Sequence, residues 1–385
     1  MKDFSFHTTR SIVSEAGASA RLAGIVGPVL GQRVFLVTDA ALRRLGLLDS
    51  ALASLDAAGI DVAIFDGVQA DPPEANIYDA VALARSHRAT GVLAIGGGSP
   101  MDVAKVVALL ARSGETLAEV YGVGAARGPR LPLALVPTTA GTGSEVTPIA
   151  IVTTGEAQKK GVVSPLLLPD VAVLDADLTL GLPPAVTAAT GIDSMVHAIE
   201  AYSSASPNNN PISRGLALQA LTLLGGNIRE ATFNGGNRAA RGAMLLGSLL
   251  AGQAFANSPV AAVHALAYPI GGHYHVPHGL SNALVLPHVL RFNLDAARRP
   301  YADLAPALFP HLARRPEAER AEAFIEALAD LARELGVPQR LRDVAIPADA
   351  LPRLARDAMM QTRLLVNNPR PLTEADALAI YQAAH

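Results

Sequence analysis

Asp193 and His197 stand four residues apart in Gly191-Ile192-Asp193-Ser194-Met195-Val196-His197, a spacing that puts a carboxylate and an imidazole on one face of a helix. Two further histidines follow, His264 and then His278 in Pro277-His278-Gly279. The neighbouring Pro and Gly put His278 at a helix end, and Ser258-Pro259 reads as an N-cap and first turn, with His264 about a turn inside. One carboxylate and three imidazoles can close around a divalent metal, and Fe²⁺ and Zn²⁺ suit that set equally on ligand softness. With one coordination position left open, such an ion lowers the pKa of a bound alcohol and stabilises the alkoxide from which a hydride departs. The competing reading of Asp193 and His197 is a core histidine with its partner, on a helix otherwise apolar through Ile192, Met195, Val196 and Ile199. Glu200, His288 and Asp295 read as ordinary helix or loop polar residues. His273 and His275 read as outer-sphere or surface groups.

A second kind of chemistry lies earlier in the chain. Gly96-Gly97-Gly98-Ser99-Pro100-Met101-Asp102 follows a strand pattern and opens a helical one, with Ser99 suited to the N-cap and Pro100 to the first helical position. Glycines let the backbone approach a ligand closely, and a helix N-terminus offers unpaired N–H groups to a phosphate. A well-capped helix after a tight turn explains the same residues without a ligand. Pro137-Thr138-Thr139-Ala140-Gly141-Thr142-Gly143-Ser144-Glu145 follows another strand pattern and offers hydroxyls to phosphate or ribose oxygens. A polar capped turn is the alternative. Two such loops at strand ends of one sheet make a crevice for an extended ligand. Asp39, just past Val34-Phe35-Leu36-Val37, can accept from ribose hydroxyls and repel a 2′-phosphate, or can simply cap the helix that follows. Lys159 and Lys160 can reach a ribose or phosphate, or form a solvated pair in a turn.

The elements that must carry these residues change character along the chain. Apolar runs at Val34-Val37, Val62-Phe65, Val92-Ile95, Leu133-Val136 and Val171-Leu174 read as strands, and residues 40–59, 74–87 and 100–112 between them read as helices. That alternation predicts an α/β, doubly wound, mostly parallel sheet over residues 1–182. After Pro183-Pro184 the chain to residue 385 reads as all-α, with breaks expected at residues 207–211, Gly225-Gly226, Gly235-Gly236 and Gly271-Gly272. A length of 385 residues suits two such domains, and 50% hydrophobic with 17% charged residues provides a large core. A net charge of −3 argues against nucleic acid or an anionic membrane as partner. The uncharged run of residues 242–263 is too short in its apolar part to span a bilayer and reads as a buried helix. No cysteine is present, which excludes thiolate chemistry and disulfides. The start, Met1-Lys2-Asp3-Phe4-Ser5, has no apolar stretch of a signal peptide, so a cytoplasmic location is expected.

Taken together, residues 96–105, 137–147, 191–200, His264 and Pro277-His278-Gly279-Leu280-Ser281-Asn282 make a chain that resembles the iron-containing alcohol dehydrogenase family, with its dehydroquinate-synthase-like fold. The likeness runs over roughly residues 10–294. It implies NAD as cofactor, with Gly97, Gly98 and Ser99 at the pyrophosphate, Asp102, Thr138, Thr139, Thr142 and Ser144 around the nucleotide, Lys160 on the ribose side and Asp39 favouring NAD over NADP. It implies Asp193, His197, His264 and His278 as ligands of Fe²⁺, with Zn²⁺ the alternative ion. A small or medium primary alcohol or aldehyde is the implied substrate, and a homodimer or larger homo-oligomer the implied assembly.

The chain departs from the family pattern at three places. Tyr268 stands where many members carry a histidine that relays protons. Asp71 stands where many have Asn. Ile149 replaces an Asn of some aldehyde reductases, and Phe255 matches an aromatic of the substrate pocket; these two point to an apolar pocket. Three rival readings remain. A maleylacetate reductase of the same superfamily does not centre on a complete metal set. A dehydroquinate-synthase-like lyase calls for more basic residues. A non-catalytic dinucleotide- or metal-binding protein would not need intact loops and ligands together.

Overall fold

The computed structural model describes residues 3–155 and 158–385. The chain forms two compact units, one of residues 7–181 and one of residues 182–385 together with the described residues before His7. In the first unit the strands are β1 Ser11–Ser14, β2 Arg33–Val37, β3 Asp61–Phe65, β4 Gly91–Gly96, β5 Gly122–Val123, β6 Leu133–Pro137, β7 Ile149–Thr154, β8 Gln158–Val163 and β9 Val171–Leu174. Its helices are α1 Leu22–Leu30, α2 Ala40–Arg44, α3 Asp49–Ala57, α4 Glu74–Ser86, α5 Gly98–Ser113 and α6 Leu117–Val120.

The large sheet runs β1-β9-β6-β4-β2-β3, and every pairing in it is parallel. Its central strands are buried on both faces, which is why they read as unbroken apolar runs. Phe35, Val37, Val92, Ala94, Leu133 and Leu135 pack on one side with α4 and α5, against Ile77, Ala80, Met101 and Val103. Val34, Leu36, Leu93, Ile95, Ala134 and Val136 point the other way, onto Leu22, Val26 and Leu30 of α1 and Leu55 of α3. Strand order reverses at β2: the chain steps to β3 on one side and then returns to β4 on the other. In a doubly wound sheet that switch point leaves a crevice at the carboxyl ends of the two strands. Asp39 follows β2 there, and Gly97 and Gly98 follow β4.

The expected single helix over residues 40–59 is two, because Gly46 adopts φ +70, a left-handed turn that ends α2. α5 begins at Gly98 with Gly97 as its cap, two residues earlier than the Ser99 cap expected from the sequence. Pro100 then lies inside the first turn, where its missing N–H costs nothing. A second sheet, β5-β8-β7, holds an antiparallel β7–β8 hairpin that the sequence reading did not separate out.

The second unit is helical: α7 Pro184–Ser203, α8 Pro211–Phe233, α9 Arg238–Asn257, α10 Ala262–Tyr274, α11 His278–Leu308, α12 Glu317–Glu334, α13 Leu351–Met359, α14 Thr362–Leu365 and α15 Glu374–Ala384. Two expected breaks are absent. Gly225-Gly226 lies inside α8, and a Cβ at Gly225 would sit 2.7 Å from the Leu308 carbonyl oxygen, so this glycine serves close packing rather than a turn. Gly271-Gly272 lies in the last turn of α10, which ends instead on His275 at φ +54. The uncharged run of residues 242–263 is α9 followed by a break and the start of α10, and no helix among the described residues is long and apolar enough to cross a membrane. Leu93, fully buried in β4, anchors the face covered by α1. Leu93→Ala should cost about 2–5 kcal/mol, read as a lower urea midpoint with unchanged slope; an unmoved midpoint would contradict this packing.

Candidate metal centre and cofactor loops

α7 presents Asp193, His197 and Glu200 at positions i, i+4 and i+7, and all three are buried. His264 is the third residue of α10, closer to the helix start than the turn's depth the sequence suggested, because Ser258 closes α9 and the next helix opens only at Ala262. His278 is the first residue of α11.

The three helices meet because Gly279 has no side chain. A Cβ there would lie 2.5 Å from the Ala189 carbonyl oxygen and 3.3 Å from Asp193 Cβ, so α11 can touch α7 only at a glycine. One donor atom from each of Asp193, His197, His264 and His278 then lies within 4.8 Å of every other. Nε2 of His264 is 3.0 Å from Nε2 of His197 and 4.0 Å from Asp193 Oδ1, and Nε2 of His278 is 3.7 Å from the same oxygen. Bonds of roughly 2.0–2.2 Å to an ion place neighbouring ligand atoms about 3–3.6 Å apart, so the donor set fits a divalent transition metal. The amide of Asn282, four residues after His278, reaches the same point: its Nδ2 donates to Asp193 Oδ1 at 2.6 Å and lies 3.3 Å from Nε2 of both His264 and His278. Its Oδ1 is buried without a hydrogen-bond partner, an orphaned acceptor beside inward-facing donors. Burial raises the Asp193 carboxyl, but His197, His278, His264 and the Asn282 amide outweigh it and hold the group below the ordinary carboxylate value.

Glu200 was not singled out by sequence reasoning, and the structure corrects that. Its carboxylate lies 2.6 Å from His264 Nδ1 and accepts from Val263 N–H at 2.7 Å. A carboxylate on one ring nitrogen fixes the tautomer and leaves Nε2 to face the metal position. The signal was present: Glu200 is three residues after His197 on the same helical face. Phe255 stacks on the His197 ring with centroids 4.4 Å apart, and Tyr268 lies 5.9 Å from the His278 ring. His273 is not near the donors; it pairs with Asp357 at 2.6 Å.

In the α/β unit the two loops lie against each other, since a Cβ on Gly98 would meet Thr142 Cγ2 at 2.9 Å. Gly97, Gly98, Ser99, Thr139 and Thr142 are partly exposed at this edge, whereas Thr138 is buried at the end of β6. Asp39 caps α2, accepting from the N–H groups of Ala41 and Leu42 through one oxygen, Oδ1. Asp102 and Ser144, expected to contact a cofactor, are bonded to each other at 2.8 Å, and Asp102 also accepts from Ile151 N–H. Lys160 lies over the Tyr121 ring at 5.3 Å, and Lys159 is paired with Asp71 at 2.5 Å. Asp71 takes φ +54, and Ile149 opens β7 half-buried.

Two family models match the chain, iron-containing alcohol dehydrogenase over residues 9–176 and the C-terminal part of the Fe-containing alcohol dehydrogenase family over residues 187–385. Long-chain-alcohol dehydrogenase 1 of Geobacillus thermodenitrificans is 41% identical over 371 residues, 96% of this chain and 93% of that protein. A crystal structure of 1,3-propanediol oxidoreductase superposes with a TM-score of 0.96 at 37% identity, covering 100% of both chains. Sulfoacetaldehyde reductase from Bifidobacterium kashiwanohense, solved in complex with NAD⁺, superposes with a TM-score of 0.88 at 26% identity over 100% of this chain and 99% of that one. Gly279→Ala should wedge α11 away from α7 and strip the centre of its ion, so metal analysis of the purified, folded variant should find under about a tenth of the parent content; full metal content would refute the role given to this contact.

Proposed function

The chain belongs to the iron-containing alcohol dehydrogenase family, and on that premise we propose that it moves a hydride between NAD(H) and a small or medium primary alcohol and its aldehyde, with Asp193, His197, His264 and His278 holding Fe²⁺. Zn²⁺ satisfies the same donors. The observation that carries the reading is the meeting of those four donor atoms within 4.8 Å of one another. A divalent ion held there would supply Lewis acidity to a substrate hydroxyl, and bound NAD would supply the hydride acceptor.

The chain's own residues do the rest. Glu200 and Asn282 hold His264 and Asp193 in ligating orientation. Phe255 covers the His197 ring and keeps water from that side of the centre. Tyr268, beside His278, offers a hydroxyl that can hydrogen-bond the substrate oxygen as its proton leaves or arrives. Gly97, Gly98 and Ser99 bring N–H groups to a pyrophosphate at the start of α5, with Thr138, Thr139 and Thr142 along the nucleotide and Lys160 on the ribose side. Asp39 sits at the switch point of the sheet, where a carboxylate accepts from ribose hydroxyls and repels a 2′-phosphate.

Relatives whose names specify long-chain alcohols, 1,3-propanediol and sulfoacetaldehyde share this scaffold. An apolar Phe255 beside the four donors favours an uncharged aliphatic substrate here. We assign the enzyme to the cytoplasm, where NAD is at hand, and a homodimer or larger assembly as its working state, to be read by light scattering on the eluting protein. A panel of primary alcohols of increasing chain length, scored by NADH formation on Fe²⁺- and Zn²⁺-loaded protein, tests the whole reading; no turnover of any member would reject it. His264→Ala should abolish metal retention and turnover together in a protein that keeps its helical circular dichroism; a metal-free variant that still turns over would refute the metal role. Asp39→Gly keeps a tolerable N-cap and should shift the NAD-to-NADP ratio of kcat/KM by roughly tenfold or more, about 1.4 kcal/mol; an unchanged ratio would refute the role given to that acid.

A further inference from the structure

Beneath the two cofactor loops lies a fully buried ammonium, that of Lys105, to which no role has yet been given. Lys105 sits in α5 three residues after Asp102, on the same face. Its Nζ donates to Ser144 Oγ at 2.7 Å, to Thr147 Oγ1 at 3.0 Å and to the Ile149 carbonyl at 2.8 Å. An ammonium has three N–H donors, so all are engaged. Asp102 adds two bonds from the same helix, to Ser144 Oγ and Ile151 N–H. Five hydrogen bonds thus fasten residues 144–151 to the first two turns of α5. Placing a charge where an apolar side chain would fit is costly, and it is placed where the second loop leaves its strand. Since Thr142 lies so near Gly98 that a Cβ there would come within 2.9 Å of its Cγ2, a shift of residues 144–149 moves Thr142 relative to the N–H groups that open α5.

We propose that Lys105 is the positioning residue of the dinucleotide site, its buried ammonium setting the spacing between the glycine loop and the threonine loop through Ser144, Thr147 and the Ile149 carbonyl. The proposal rests on the reading that these loops hold NAD. It also changes the part played by Asp102 and Ser144, which shape the loops from within rather than touching the cofactor.

The test is a fluorescence titration of NADH into the metal-loaded, full-length protein and its variants. The parent must bind; a parent that does not would overturn the cofactor reading and this proposal together. Lys105→Met fills the space and removes the charge, and should raise the NADH Kd by roughly 10- to 100-fold, the range spanned by a lost hydrogen bond to a charged group. KM for NAD should rise in step while metal content stays at the parent value. Thr147→Val removes one acceptor of three and should raise the Kd less, by a few fold, at nearly the parent melting temperature; it decides the matter alone if Lys105→Met does not fold. A lower melting temperature with an unchanged NADH Kd would mark Lys105 as a stabilising residue only and overturn the proposal.

Discussion

A buried knot of polar side chains in an apolar helical bundle is the constraint around which the second unit is arranged. Asp193 and Glu200 bring two carboxylates into a region of low dielectric, and His197, His264 and His278 surround them. Burying such groups is unfavourable unless each finds a partner. The partners are shared: Glu200 holds His264, Asn282 holds Asp193, and one donor atom from each of Asp193, His197, His264 and His278 lies within 4.8 Å of the others. The Asp193 carboxylate and three imidazoles gathered in this way make a donor set that would suit a divalent cation. Every packing detail nearby, from the bare Gly279 against Ala189 to the Phe255 ring on His197, keeps that cluster closed.

The α/β unit solves a different problem, holding loops still without closing them. Strand order places the ends of β2, β4 and β6 side by side, so Asp39, the glycine loop and the threonine loop arise from adjacent strands. The loops carry few side chains able to hold one another. Their rigidity comes from below, from Lys105 and Asp102, whose own charged groups are buried: burial pushes the lysine down to about 8 and raises the Asp102 carboxyl.

Much of this was readable in the residues themselves. The four inner strands β2, β4, β6 and β9 declared themselves because a parallel sheet buried on both faces needs uninterrupted apolar runs, and edge strand β3 carries a similar run though only half-buried. Asp193 and His197 declared a shared face through their spacing. That His264 and His278 join them could not be had from spacing, because it depends on two helix starts folding onto a third helix; only the family likeness pointed to it. Edge strand β1 was missed because Ser11-Ile12-Val13-Ser14 is largely exposed and short, and the β7–β8 hairpin because Gln158-Lys159-Lys160 breaks its apolar pattern. Gly225 and Gly271 were read as breaks, yet a glycine that admits a neighbouring helix and one that ends a helix look alike in sequence. Glu200 was passed over because an acid on a helix is usually solvated, and nothing local says that its helix is buried throughout.

The ring of Phe255 lies nearly parallel to that of His197, at an interplanar angle of 18°. The phenyl therefore fixes which way that imidazole faces, and a residue put in its place must supply an equally flat backing. How firmly the four donors could grip an ion is thus set partly from outside them, by a neighbour that itself offers no ligand atom.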